Sequence, residues 1–359
     1  MYDPRVSQEA APAPLTIVHV GNFPFGLKPG FQHGVAVKLS NGLIRNGHLV
    51  LNFSDRDIAR ARAPFGSRRL GVAPANAALL AFCRHHRPDV LLLGHADVIR
   101  PATIRGLRAE LPRLRVAQWN VDPLFEPDNV RRIKAKQEVV DATFVSTAGA
   151  PMAALRAGGR RVAFLPNPVD ASIERGRCDL AEAAEYDLFY ACGHPSRPLR
   201  TICGQDWDME AFIRALAARL PGLRLCLGGL LGRAHLQGAA YQAALERSAL
   251  GLNVSRRADH PLYSSDRLAQ FAGNGLVVLM ERTTGYDAVF GEEAMAFFSS
   301  FDELVAQIAR LVADPARRRA VAAAGRARYF ALFNERDVAA RLLDILFGRR
   351  DQDTLPWTG

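Results

Sequence analysis

The feature that most constrains this chain is a rhythm: short apolar runs alternate with stretches of helical period along nearly its whole length. The runs fall at 15–21 (LTIVHVG), 48–53, 89–94, 115–119, 142–146 and 161–165, then again at 186–192 (YDLFYAC), 223–227, 250–254 and 276–280. Between them, Val35, Leu39 and Leu43 recur every four residues, and 75–87, the region of Ile104, 207–219, 241–248 and 266–272 read as helices. Strands this short and this apolar, each followed by a helix, predict parallel βαβ units with both sheet faces covered. Asn46-Gly47 supplies a helix stop before the second strand. The polar, arginine-rich segment 54–71 lacks a period and is expected to be a long loop lining a site.

A chain of 359 residues exceeds what one core fills, so two domains are expected. The rhythm pauses at 166–170 (PNPVD) and the charged stretch to Glu185. The reading is therefore a disordered leader at 1–14, a Rossmann-like domain at 15–168, a second at 169–335, and at 336–359 a helix packing back toward the first domain, with a tail. Ser300 with Glu303, Asp314 before Pro315, and Asn334 mark helix starts near the end.

The formal charge of +10 is almost wholly arginine, because Lys28, Lys38, Lys134 and Lys136 are the only lysines. The clusters Arg60, Arg62, Arg68 and Arg69, Arg131 and Arg132, and Arg317 to Arg319 lie on separate segments. Without interleaved aromatics they disfavour nucleic acid and favour a nucleotide diphosphate, an anionic acceptor or an anionic membrane face. A solvated arginine surface fits any single cluster equally well. Five scattered cysteines with no C-x-x-C pair indicate neither a disulfide framework nor a zinc site, and so a reducing compartment. No run is long enough to span a bilayer and no signal peptide is legible. A cytoplasmic protein is expected, with peripheral contact at an inner membrane left open.

Open parallel sheets bind ligands beyond the carboxyl ends of their strands. Attention falls on 21–26, His95 and Asp97, 119–123 (WNVDP), 193–197 (GHPSR), Gly228-Gly229, 255–257 and 281–286. Dinucleotide and Walker-type glycine motifs, G-x-S-x-G and H-x-x-x-H are missing, and no Asp/His cluster suggests a metal. Phosphate charge must then be met by arginines and helix N-termini. Ser264, Ser265 and Arg267 stand at a helix start suited to a phosphate, although a capping serine and a surface arginine fit the same spacing. Asp122, beside Asn120 and Trp119 at a strand end, is the best catalytic carboxylate, with a turn aspartate before Pro123 as the bland alternative. His33 and Lys28 in the first loop are candidates to meet acceptor or donor, unless they simply start a helix and face solvent. Tyr286 is placed to cover a donor sugar, or else packs in the core.

Residues 241–255 (YQAALERSALGLNVS), 264–279 (SSDRLAQFAGNGLVVL) and 297–329 together resemble the C-terminal domain of CgeB-like glycosyltransferases, a branch of the GT-B superfamily. The turn 166–170 is similar to the P-N-G-V-D turn that opens the second domain of many GT-B enzymes. The first half resembles them by topology and by the R-N-G-H-L-V helix exit at 45–50. The resemblance implies the GT-B architecture, parallel sheets facing across a cleft, and catalysis without a bound metal or other cofactor. It also implies that Gly193, Arg197, Arg200, Ser265 and Arg267 serve the diphosphate of a nucleotide-sugar. Many retaining members carry two glutamates eight positions apart, where this chain has Leu262 and Gln270. A glutamine still hydrogen-bonds a ribose hydroxyl but carries no charge, which leaves the ribose contact and the stereochemistry open.

The expected activity is sugar transfer from a nucleotide-sugar to a glycan, lipid-linked or protein acceptor in bacterial surface-glycan or glycoconjugate synthesis. A nucleotide-sugar epimerase and a noncatalytic nucleotide- or sugar-binding module are the alternatives.

Overall fold

The computed structural model describes residues 13–23, 34–191 and 199–356. Its first half lays down β1 (Thr16–Gly21), α1 (Val35–Arg45), β2 (Leu49–Ser54), α2 (Asp55–Ala61), α3 (Val72–His86), β3 (Val90–Gly94), α4 (Pro101–Glu110), β4 (Arg115–Asn120), α5 (Pro127–Gln137), β5 (Ala142–Val145), α6 (Gly149–Ala153) and β6 (Val162–Phe164). The strands form one parallel sheet in the order β2-β1-β3-β4-β5-β6. All five residues of β3 are buried, as a strand covered by helices on both faces requires.

The second half adds β7 (Tyr186–Ala191), β8 (Leu199–Ile202), β9 (Gln205–Asp208), α7 (Met209–Arg219), β10 (Leu225–Gly228), α8 (Gly238–Glu246), β11 (Ser248–Asn253), α9 (Arg267–Gly273), β12 (Val277–Glu281), α10 (Asp287–Phe290), β13 (Ala296–Phe298), α11 (Phe301–Ala313), α12 (Pro315–Phe333) and α13 (Glu335–Leu346). A second parallel sheet runs β10-β7-β11-β12-β13, and β8 with β9 makes a separate antiparallel hairpin. In each sheet the strand order reverses beside the first strand laid down, β1 or β7, so a crevice opens there at the carboxyl ends. The fold is α/β with two Rossmann-like sheets, as the rhythm predicts.

Two local expectations need correction. Residues 54–71 are not one loop: α2 occupies 55–61 and a single 3-10 turn 64–66. Ala59 is fully buried, while Arg56 and Arg60 pair with Asp97 and Asp57, so the arginines that hid a period serve an amphipathic helix. The helix expected from Trp207 starts at Met209, because Asp208 caps it by accepting from the Glu210 and Ala211 amides. Trp207 belongs instead to β9, where its ring stacks on Phe301. The edge strand β13 is too short to show a pattern in sequence.

The chain crosses between the lobes twice, and the crossings are hydrogen-bonded to each other. The Val169 amide donates to the Phe333 carbonyl and the Glu335 amide to the Val169 carbonyl, both at 2.9 Å. Asn334 caps α13, which lies across α1 of the first lobe. Their approach needs glycine at 42, since a β-carbon there would stand 2.0 Å from the Glu335 carbonyl oxygen. Along the same α1 face, Asn41 and Arg45 bind Asp170, and Arg45 also pairs with Glu335.

Candidate active site in the interlobe cleft

Between the carboxyl ends of the two sheets lies a cleft of about 720 Å³, inside the usual range for ligand sites. The first lobe contributes Asn22, His95, Trp119, Asp122 and Arg132, and the second Arg200, Tyr241, Arg256, Arg267 and Gln270.

Asp122 reaches the cleft from the loop after β4, its side chain half exposed and its Oδ2 3.4 Å from His95 Nδ1. His95 and Ala96 hold positive φ of 56° and 39° directly after β3, a strained turn for residues with side chains. Gly94 makes room for the turn's neighbour, because a β-carbon there would sit 2.2 Å from the Trp119 ring. The His95 ring packs edge-on to Trp119, and its amide donates to the Trp119 carbonyl. Burial pushes the His95 pKa down against the opposing pull of Asp122, so the imidazole is held neutral.

Asn120 does not face the cleft. It is buried, accepts from the Asp122 amide at 2.9 Å and exchanges hydrogen bonds with Asn129, which also donates to the Asp122 and Pro123 carbonyls. Its position is that of a loop anchor, which corrects its reading as a catalytic group. The same loop crosses to the other lobe. Glu126 pairs with Arg256, whose guanidinium lies over the Phe125 ring, and Phe125 packs edge-on to Tyr263 and His260.

On the second wall Arg267 is tied down. Its Nη1 donates to the Ala191 carbonyl at 2.9 Å, Nη2 to Val254 at 2.8 Å and Nε to Ser265 Oγ at 3.0 Å, joining the ends of β7 and β11 at the crevice. A fork of five donors still leaves N–H groups for a ligand. Ser265 and Arg200 line the cleft with it. Gln270 accepts from the Tyr241 hydroxyl at 2.6 Å and donates to Asp266.

Ser264 is buried behind the wall, receiving Asn167 Nδ2 on its backbone and hydroxyl oxygens. Tyr286 is also buried, its hydroxyl donating to the Leu262 carbonyl, so it packs the core and does not cover a ligand. His33, Gly193 and Arg197, with Lys28, lie outside the described residues. Among the described residues no three His, Cys, Asp or Glu side chains converge as metal ligands, and no helix is long and apolar enough to cross a membrane.

The sequence reading missed the group beneath the cleft. Lys38 of α1 is fully buried, 2.7 Å from Glu174 and 3.4 Å from Asp266, so a first-lobe cation sits among second-lobe carboxylates. Burial raises the Glu174 carboxyl to about 7 despite Lys38. The signal was present: Lys38 falls three residues after Val35 and one before Leu39, on the buried stripe of α1.

Comparison with known proteins agrees with this fold. No curated protein matches the chain. Solved structures match nearly all of it: sucrose-phosphate synthase from Thermosynechococcus elongatus at 14% identity and TM-score 0.61, covering 94% of this chain and 100% of that one; HepE from Anabaena in complex with UDP and glucose at 16% and 0.60, covering 93% and 100%; and an alpha-glucosyltransferase in complex with UDP and a 13-mer DNA containing an HMU base at 13% and 0.62, covering 93% and 100%. Residues 200–344 match the family described as "Glycosyl transferase-like", and the chain as a whole has the two-lobed fold of the GT-B glycosyltransferases.

Proposed function

We propose that this chain transfers a sugar from a nucleotide-sugar donor to an acceptor hydroxyl. The observation that carries the reading is one cleft with unlike walls, a carboxylate beside a neutral imidazole facing a bank of arginines. The nucleoside diphosphate lies against Arg200, Ser265 and Arg267, where guanidinium groups stabilise the charge that develops as the bond from the anomeric carbon to the diphosphate oxygen breaks. The acceptor oxygen attacks that carbon and its proton passes to Asp122, which His95 faces from the adjacent strand end. Solved structures of the same fold that hold UDP, glucose or UDP-glucose support a donor of this class. The acceptor is a glycan, lipid-linked or protein hydroxyl in bacterial surface-glycan or glycoconjugate synthesis, handled by a cytoplasmic enzyme of the CgeB-like branch touching an anionic membrane face. The reaction needs no bound metal, because arginine meets the phosphate charge.

The test is a panel of UDP-, GDP-, CMP- and dTDP-sugars scored for nucleotide release with and without acceptors, in chelator and in magnesium. Release that requires an acceptor and survives chelation supports the reading. Interconversion of the sugar with no acceptor would make the protein an epimerase, and binding without turnover a noncatalytic module.

A further inference from the structure

Away from the cleft, α13 carries Asp337, Arg341 and Asp344 on one face, and beside them a second cavity of about 240 Å³ opens between the end of α12 and the tail. Ala331, Leu332, Val338, Ala340, Arg350 and Pro356 complete its wall. Arg341 is 8% exposed, and its Nε, Nη1 and Nη2 are all buried with no hydrogen-bond partner among the described residues. A buried guanidinium without a counter-charge is costly, and native structures pair such groups. The two carboxylates do not serve it: Asp337 receives Asn334 Nδ2 at 2.6 Å, and Asp344 receives Arg349 Nε at 2.9 Å. Arg350 adds a second positive group. Burial, reinforced by the Arg350 charge, pushes the Arg341 guanidinium down to about 10, so Arg341 holds its charge at neutral pH with no carboxylate in contact among the described residues.

We propose that this cavity binds a small phosphate-bearing anion, held by the Arg341 fork and closed by Arg350. A planar fork of donors matches a phosphate group in bidentate fashion, and the volume falls below that of drug-sized sites, which fits inorganic phosphate or a small phosphomonoester. The placement gives it a consequence for the fold. α12 packs on α9 and β12 of the second lobe and α13 on α1 of the first, so an anion held near their junction braces the crossing between lobes.

The experiment is thermal unfolding and calorimetry of the full chain in inorganic phosphate and, separately, glycerol phosphate, against chloride at matched ionic strength. Phosphate at about ten times its dissociation constant is expected to raise the midpoint by about 2 °C. Arg341→Leu should abolish that rise while leaving the protein folded and at least as stable in chloride, because it removes an unpaired buried charge. Arg350→Gln, an exposed position, should weaken phosphate binding by about tenfold with folding unchanged. A response to both anions indicates a phosphomonoester-sized site, and a response to inorganic phosphate alone a free-phosphate site. Absence of any response in the unmodified protein, or a response that survives Arg341→Leu, overturns the proposal; the latter would assign phosphate to the arginines of the cleft.

Discussion

The first-lobe wall of the cleft holds its titratable groups on a buried relay, whereas the second-lobe wall pins its arginine to backbone carbonyls. On the first wall, Trp119 Nε1 donates to His19 Nε2 at 3.0 Å, which leaves Nδ1–H to donate to Ser40, whose hydroxyl donates to Asn52. The chain of neutral hydrogen bonds fixes the Trp119 ring, against which His95 packs facing Asp122. On the second wall, Arg267 is tied to the ends of two strands and to the Ser265 hydroxyl and so cannot swing, with N–H groups left for a ligand. A wall whose Asp122 carboxylate is exposed beside an oriented, uncharged support suits proton transfer. A wall of fixed guanidinium groups suits a leaving diphosphate, since preorganised charge needs no rearrangement when the bond breaks.

The sharpest break of this division is at Lys38, where a first-lobe cation underlies the second-lobe wall. Lys38→Met strands Glu174 and is expected to destabilise the protein by about 3 to 5 kcal/mol in denaturant titration. Adding Glu174→Gln to the same chain should recover most of that loss. A single mutant as stable as the parent would show that the buried pair does not join the lobes.

Next in size comes the contrast between the walls themselves. Asp122→Asn keeps shape but removes the charge, so turnover should fall about a hundredfold or more with nucleotide affinity nearly intact. Arg267→Ala should weaken nucleotide affinity about ten- to a hundredfold, and it should also lower stability because the Ala191 and Val254 carbonyls lose their partner. Equal loss of affinity in both mutants would erase the division of labour.

What the sequence showed and hid follows the same line. The parallel sheets were legible because strands buried on both faces read as unbroken apolar runs, and the place of Asp122 at the cleft was legible because it follows a strand's carboxyl end. Partner choice was not legible. Nothing local to Asn120 says that Asn129, nine residues on, absorbs its amide. Nor does the position of Tyr286 after a strand tell that its hydroxyl turns inward to Leu262. The pairing of Lys38 was hidden because its partners lie in the other lobe, and α2 because its arginines answer Asp57 and a distant Asp97.

A smaller effect tests the relay by pH. Burial lowers the His19 pKa to about 3 from its ordinary 6.5, so the folded protein keeps the ring neutral where the unfolded chain would protonate it. Protons therefore favour unfolding: the contribution is complete above about pH 6.5 and is lost as the pH falls toward 3, at about 1.4 kcal/mol per unit. Glu174, raised to about 7, runs the other way, its contribution being complete below its ordinary 4.5 and lost as the pH rises through 7. His19→Gln can accept from Trp119 and donate to Ser40 without titrating, so its stability between pH 6 and 5 should fall less steeply than the parent's by about 1.4 kcal/mol per unit. Parallel curves would mean that His19 is solvated in solution.

The smallest effect asks whether the second wall ends where the structure ends it. Tyr286 follows β12, the place from which an aromatic ring would cover a donor sugar, yet it is 2% exposed with its hydroxyl 2.8 Å from the Leu262 carbonyl. Leu262 holds a positive φ of 56°, and its amide donates to Thr284, so the tyrosine hydroxyl helps to keep a strained turn in place just before Ser264 and Ser265. Tyr286→Phe keeps the ring and its packing but leaves that carbonyl short of a donor. The expected cost is about 1 kcal/mol in unfolding free energy, with turnover and donor affinity within about twofold of the parent. A ring that covered the sugar through its hydroxyl would behave in the opposite way, losing donor affinity at unchanged stability. Measuring unfolding and the Michaelis constant for donor on the same two proteins separates the cases, because burial predicts a change in the first and a hydroxyl contact to the sugar a change in the second.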